Sequence, residues 1–259
     1  LARFLSGKER LDNGQLALFS MYDFNIIPVE LISNIYEIML GKEAQKQDKA
    51  FYTPHYLVDY IIKQTIVPYM KSHDQFKVLD PACGSGIFLV ECYRQLIESK
   101  LCHDNSVADE ILVDTLKENI YGIDLNESAI DITIFSLYLT MLDYKDPKTL
   151  VKFKLPDLKN RNLVHANFLT DDQLVFLKNI SFDFILGNPP WGRESDNEHK
   201  RFCENNEFLE IAEISKSFVY KVKDYCQANT QCCFVLPSKL LYNKKNKSKQ
   251  FREFMLVNT

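Results

Sequence analysis

The stretch Ser181-Phe182-Asp183-Phe184-Ile185-Leu186-Gly187-Asn188-Pro189-Pro190-Trp191 dictates more of its own local structure than any other part of the chain. Aromatic and aliphatic residues from Phe182 to Leu186 read as a strand, and Gly187 ends it. The two prolines after Asn188 forbid further strand or helix, since each fixes φ and lacks an N–H. Pro189 also pushes Asn188 towards extended backbone. The chain must therefore make a stiff loop at the C-terminal end of a strand, carrying an amide, a proline carbonyl and an indole. Open α/β sheets place their chemistry at that position.

The loop has a chemistry open to it. An exocyclic aromatic amine such as N6 of adenine is a weak nucleophile, because its lone pair is delocalised into the ring. Two acceptors beside the NH2 group draw it towards a tetrahedral nitrogen and localise the lone pair. Asn188 could supply one acceptor through its side-chain oxygen, and Pro189 the other through a carbonyl aimed by rigid backbone. Pro190 stiffens the same turn. Trp191 could stack on an extruded base, as enzymes acting on bases require. The alternative is a strand-ending turn with a core tryptophan.

At 259 residues the chain has room for one large α/β domain or two small ones. Hydrophobic residues at 46% and charged residues at 25% are ordinary for a soluble globular protein with a sizeable core. No run of about eighteen apolar residues predicts a membrane-spanning helix. Leu1 to Arg10 carries charge without the apolar stretch of a signal peptide. The missing initiator Met points to a piece of a longer polypeptide. Seven cysteines, an odd number with no Cys-x-x-Cys pair, read as the thiols of a reduced cytoplasmic protein. The five scattered histidines predict no metal site. A net charge of −4 does not mark a nucleic-acid binder. From Lys239 to Arg252, however, six cations occur without one acid: Lys239, Lys244, Lys245, Lys247, Lys249 and Arg252. They read either as a phosphate-contacting loop or as a solvated surface loop.

In chain order, residues 1–50 read as helical and irregular, with Leu31, Ile35, Ile38 and Met39 on one face between Pro28 and Gly41. Phe51-Tyr52-Thr53-Pro54 opens a second helix, with Thr53 as N-cap and Pro54 at its first position. Next comes Val78-Leu79-Asp80-Pro81-Ala82-Cys83-Gly84-Ser85-Gly86-Ile87-Phe88, a short apolar strand, a small-residue turn and a helix. Gly84 and Gly86 permit a tight turn and close approach of a ligand, and the helix N-terminus behind them presents free N–H groups. Position 89 is Leu, so the third glycine of a dinucleotide fingerprint is missing. Asp80 at the strand end would meet something cationic, and the ammonium and sulfonium groups of S-adenosylmethionine suit it.

A helical excursion over Ser99–Asn119 precedes Ile120-Tyr121-Gly122-Ile123-Asp124-Leu125, a strand ending in an acid that could hold ribose hydroxyls or cap its turn. Asn126–Leu142 is a helix displaying Ile132, Phe135, Leu139 and Leu142. Asn162–Leu169 is a possible third strand; at its end Asn167 and Phe168 could meet an adenine ring, or could be loop polarity and a core aromatic. Gly192–Asn206 reads as a lid or disorder. Phe208–Tyr225 reads as a helix, Cys232–Leu236 as a fifth strand, and Phe251–Leu256 as the start of another helix.

Four of these stretches, Phe51-Tyr52-Thr53-Pro54, Asp80-Pro81-Ala82-Cys83-Gly84-Ser85-Gly86, Asp124 and Asn188-Pro189-Pro190-Trp191, resemble in order and spacing the N6-adenine DNA methyltransferases of the gamma class. The resemblance is to the modification modules of type I and type IIG-like restriction–modification enzymes, and it runs from about Asp23 to the C-terminus. It implies an α/β, Rossmann-like S-adenosylmethionine-dependent methyltransferase fold: a mostly parallel sheet with helices on both faces. Residues 1–50 would be a helical cap or the remnant of a preceding domain, and residues 51–259 a catalytic core. By the same resemblance Phe51, Tyr52, Thr53 and Pro54 border the methionine end of the cofactor S-adenosyl-L-methionine. Asp80, Pro81, Ala82, Cys83, Gly84 and Gly86 form its floor, Asp124 and Leu125 take the ribose, and Asn167 and Phe168 the adenine. Asn188, Pro189, Pro190 and Trp191 handle the target base, with Trp191 where the family more often has Tyr or Phe. The implied partner is double-stranded DNA with its adenine flipped out.

In the gamma-class order the recognition domain follows the catalytic one. The chain is thus expected to lack its last two strands, the second aromatic wall of the base pocket, and the C-terminal recognition domain or subunit. The fifth strand would then be an exposed edge. Rival readings are a protein-glutamine or RNA amino-methyltransferase, and a non-catalytic, cofactor-sensing DNA-binding subunit. No Asp…Glu-x-Lys cluster predicts a nuclease.

Overall fold

The structure, a computed structural model, describes residues 53–101, 107–145, 153–192, 197–206, 209 and 213–257. The expected N-terminal cap and the candidate residues Phe51 and Tyr52 lie outside the described residues. Two helices, α1 (His55–Gln64) and α2 (Ile66–Met70), precede a sheet of five short strands. These are β1 (Val78–Asp80), β2 (Ile120–Asp124), β3 (Leu163–His165), β4 (Phe184–Gly187) and β5 (Gln231–Phe234), all parallel, in the order β3-β2-β1-β4-β5.

Parallel neighbours need crossovers, and helices supply them. Between β1 and β2 run α3 (Ile87–Leu101) and α4 (Asp109–Asn119), and between β2 and β3 runs α5 (Glu127–Asp143). A 3-10 helix, Asp172–Asn179, leads into β4, and α6 (Asn197–Glu204) and α7 (Ile214–Val222) stand between β4 and β5. After β5 come α8 (Lys239–Tyr242) and α9 (Asn246–Val257).

Side-chain alternation along the strands divides the core into two layers. Val78, Ile120, Leu163, Phe184 and Leu186 pack with α1, α3, α4 and α5 on one face. Leu79, Tyr121, Ile123, Val164 and Ile185 pack with α7 and the 3-10 helix on the other. The inner strands are apolar on both sides because both faces are covered. Each fully buried Leu, Ile or Phe among them contributes about 1.5–3 kcal/mol.

Several local expectations change. Pro54, not Thr53, is the N-cap of α1, and no side chain caps that helix. The buried stripe of α5 is Ala129, Ile130, Thr133, Ser136, Leu137, Thr140 and Met141, while Phe135 is exposed. Its small hydroxyl residues let α5 approach the glycine loop more closely than the bulkier apolar stripe could. The Gly192–Asn206 stretch contains the helix α6, with His199 and Cys203 buried. The basic stretch is helical rather than a loop: α8 and α9 take most of it. Lys239 pairs with Glu213 at 2.9 Å, Lys249 pairs with Glu253, Lys247 Nζ donates to Leu209 O, and Arg252 donates to Leu240 O and Asn243 O. Lys244 and Lys245 remain exposed between the two helices. Among the described residues β5 is the outer strand, with Gln231 and Cys232 exposed and Cys233 and Phe234 half-buried.

Candidate active site

Strand order reverses at β1, which has β2 on one side and β4 on the other. In doubly wound sheets the crevice at the carboxyl ends of two such strands receives the ligand. The candidate residues sit there. After Asp80 the chain turns through Pro81–Gly86 into α3, held by its own backbone and by two neighbouring elements. Cys83 N donates to Ile123 O at 2.9 Å and Gly86 N to Cys83 O at 2.8 Å. Gly84 N donates to Asp124 Oδ2 at 2.8 Å, and Thr133 Oγ1 of α5 donates to Gly84 O at 2.8 Å. Gly84 and Gly86 have φ of 54° and 85°, in the left-handed region that glycine reaches at low cost. A Cβ on Gly86 would come within 2.7 Å of Thr133, whereas one on Gly84 would meet no heavy atom within 4 Å. Open space thus lies over Gly84. The Cys83 side chain points away from it into the core, where burial pushes its thiol well above the usual range.

Asp80 is buried and accepts a bond from Ala82 N at 3.0 Å. Desolvation raises its pKa from 3.8 to about 8; the Ala82 bond lowers it and the Asp124 charge raises it further. Such a carboxyl sits ready for a cationic ligand, which would offset the burial that now favours its protonated form. Asp124 bonds Asn126 N at 2.8 Å as well as Gly84 N, so the turn-capping reading holds for it. It still borders the loop, half-exposed.

The proline loop meets this site directly. A Cβ on Gly187 would come within 2.5 Å of Asp80 Oδ1. Only a glycine lets the end of β4 lie flush against the Asp80 carboxyl. Asn188 follows, and its Nδ2 donates to Thr53 Oγ1 at 3.1 Å. Its Oδ1 is screened from solvent. Pro189 is buried and Pro190 half-buried. The indole Nε1 of Trp191 donates to Val235 O just past β5, at 3.2 Å, which fixes the plane of the ring. An open cavity of about 470 Å³ lies against Trp191, lined also by Leu236, Pro237, Ser238, Lys239 and Tyr242.

Two candidates depart from expectation. Phe168 is buried in the core, its ring 5.3 Å from those of Phe218 and Tyr225, so it offers no open face to a ligand. Asn167 accepts from Leu169 N and donates to Glu198 Oε2, both at 3.0 Å, and so ties α6 to the end of β3. Leu125 is exposed, and its carbonyl is 3.0 Å from His165 Nε2. Among the described residues no three His, Cys, Asp or Glu side chains gather in a way that could hold a metal ion. No helix among them is long and apolar enough to cross a membrane.

The profile of the N-6 DNA methylase family matches residues 29–259, nearly the whole chain and every motif just described. The chain belongs to that family. A type II restriction enzyme and methyltransferase of Escherichia coli, RM.Eco57I, is 27% identical over 92% of this chain, which spans 29% of that protein. The chain thus covers less than a third of that relative's length. Among solved structures, a modification subunit of a putative type I restriction enzyme from Vibrio vulnificus matches 88% of this chain and 43% of its own, with a TM-score of 0.55 and 22% identity. A putative class I S-adenosylmethionine-dependent methyltransferase from Listeria monocytogenes matches 92% of this chain and 62% of its own, at 0.51 and 15%. These structures share the fold: a Rossmann-like, mostly parallel sheet with helices on both faces.

In this member of the N-6 DNA methylase family, sequence reasoning missed four contributors to the site: Thr133 under the glycine loop, Glu198 on Asn167, Val235 behind Trp191, and Tyr242 beside the cavity. No short motif marks them. A hydroxyl opposite a glycine loop, or a carbonyl behind an indole, is defined only once the sheet brings distant elements together. Tyr242 lines the same cavity as Trp191.

Proposed function

We propose that this chain is the catalytic core of an S-adenosylmethionine-dependent DNA methyltransferase that modifies N6 of adenine within a restriction–modification system. The observation that carries the reading is the contact at the switch point. The Asp80 carboxyl and the loop Asn188-Pro189-Pro190-Trp191 meet across Gly187, which brings a candidate cofactor floor and a candidate amine site together.

The residues present fit the cofactor: open space over Gly84, positive-φ glycines, and the acids Asp80 and Asp124 at the ends of adjacent strands. Thr53, Pro54, Asp80, Pro81, Ala82, Cys83 (through its backbone), Gly84, Gly86 and Asp124 would hold it. Phe51, Tyr52 and Leu125 complete the rim by resemblance. When bound, S-adenosylmethionine supplies a methyl group on a sulfonium sulfur, a leaving group that needs no protonation.

The rest of the work is orientation and electrostatics. Trp191 and Tyr242 would offer aromatic surface to an adenine extruded from the duplex. Asn188 Oδ1 and Pro189 O would accept the two N6 hydrogens, drawing the lone pair out of the ring and towards the methyl group. The surplus proton on nitrogen then passes to water. The exposed Lys244 and Lys245 would meet DNA phosphates.

The test incubates the chain with methyl-labelled S-adenosylmethionine and a random-sequence pool of unmethylated double-stranded DNA, then analyses the released nucleosides. The expected product is N6-methyldeoxyadenosine, lost in Asn188→Ala. Label in another nucleoside, or none at all, would refute the reading. Equal biological activity of wild type and Asn188→Ala would favour a cofactor-sensing subunit.

A further inference from the structure

Thr53 lies 135 positions before Asn188 in the chain and is 7% exposed, yet its hydroxyl takes the Asn188 Nδ2 hydrogen at 3.1 Å. The start of α1 makes no use of that hydroxyl. Leu57 N and Val58 N both donate to Pro54 O, and the helix has no side-chain cap. The Thr53 hydroxyl therefore serves the proline loop.

A carboxamide has two unlike ends, an oxygen that accepts and a nitrogen that donates, and a half-turn about its last bond exchanges them. Facing an amine, only the oxygen end is productive; an amide NH2 turned towards N6 would set donor against donor. Asn side chains usually settle such orientation by bonding their own backbone, through the N–H two residues on. Here positions 189 and 190 are both proline, and neither has an N–H to offer. The prolines keep the Asn188 oxygen from local capture, and the same feature deprives the amide of its nearest restraint. Thr53, from a different element, supplies one at the nitrogen end.

We propose that Thr53 is the positioning residue for Asn188: by accepting from Nδ2 it holds the amide with its oxygen end presented to the substrate amine. The inference rests on the proposed amine-methylating reading of the site, and it gives Thr53 a duty separate from any contact with the cofactor. A helix start that brings Thr53 to β4 would then be part of the catalytic geometry, because it controls which end of an amide faces the base.

The test compares Thr53→Val, which keeps the shape and removes the hydroxyl, with Thr53→Ser, which keeps the hydroxyl. The side-chain amide signals of Asn188, assigned by their disappearance in Asn188→Ala, are followed by NMR hydrogen exchange in the 259-residue chain. Protection is expected to fall about tenfold in Thr53→Val, the equivalent of one hydrogen bond, and to survive in Thr53→Ser. On the methylation assay, kcat is expected to fall about 10–100-fold in Thr53→Val, the scale of a misplaced catalytic group. Turnover is read at saturating S-adenosylmethionine, with calorimetric affinity measured beside it, so that any cofactor contact of Thr53 is separated from the loss in kcat. Unchanged Asn188 exchange in Thr53→Val overturns the inference. So does a fall in cofactor affinity with kcat unchanged. If the wild type transfers no methyl group, the proposed function fails, and the exchange data still decide whether Thr53 holds the amide.

Discussion

The two halves of the sheet are built to different standards. On the β1–β2 side the strands are buried on both faces. The glycine loop there is tied to the end of β2 through Ile123 and Asp124 and to α5 through Thr133. On the β4–β5 side the outer strand is exposed along half its length, and the proline loop hangs on bonds from Asn188 to Thr53 and from Trp191 to Val235. The first half resembles a mould, fixed before any ligand arrives. The second relies on proline stiffness for its shape and on a few long-range bonds for its aim. Under the proposed function the site takes in a bulky extruded base and lets it go, which the second construction serves better. Substitutions should accordingly alter stability in the first half, and in the second alter function with little change in stability.

The largest effect expected is on the loop side. Asn188→Ala should reduce methyl transfer about 10²–10³-fold, the scale for loss of one preorganised polar group. Its thermal midpoint should stay near wild type in differential scanning calorimetry. A large fall in that midpoint would blur the contrast between the halves.

Next in size is a pH effect in the first half. Burial holds the folded-state pKa of Asp80 at about 8, far above its ordinary 3.8. A raised folded pKa means that the folded chain keeps a proton the unfolded chain gives up. The Asp80 contribution is therefore fully present below about pH 4, declines as pH rises, and levels off beyond about pH 8. Asp80→Asn removes that decline. The variant should gain stability over wild type as pH rises from 5 to 8 in urea titrations, and lose S-adenosylmethionine binding. A gain that did not grow with pH would mean that the carboxyl is not the strained group.

Smaller again is the glycine pair. Gly86→Ala should cost about 1–3 kcal/mol in urea unfolding, because it adds a collision with Thr133 to an unfavourable backbone angle. Gly84→Ala should cost about 1 kcal/mol, since only the angle is at fault. Equal costs would mean that Thr133 gives way. The smallest effect belongs to the outer strand: Cys232→Ser, exposed on β5, should stay within about 0.5 kcal/mol of wild type.

The same division governs what could be read from the chain. The five strands and their ligand ends were legible, because buried parallel strands are short apolar runs and both site loops are marked by glycine or proline. The glycine loop and the Asn188–Trp191 turn declare themselves through residues that permit few alternatives. The role of Thr53 was not legible, since Thr-Pro before a helix is an equally good capping signal and only the fold brings it to β4. Phe168 shows the opposite failure: an aromatic at a strand end looks like a platform, but whether its ring turns to the crevice or to the core depends on Phe218 and Tyr225, some fifty residues on. The basic stretch is a third case: its charge density suggests a loop, whereas Leu240, Ser248 and Phe251 bury one side of two helices.

The measurement that bears most directly on the whole account is calorimetric titration of this chain with S-adenosylmethionine. The account predicts saturable one-to-one binding by the folded chain, since the first half of the sheet is formed without help from any ligand. A chain with intact secondary structure and a cooperative melt that released no heat on titration would contradict it, and would mean that the crevice between β1 and β4 is not a cofactor site.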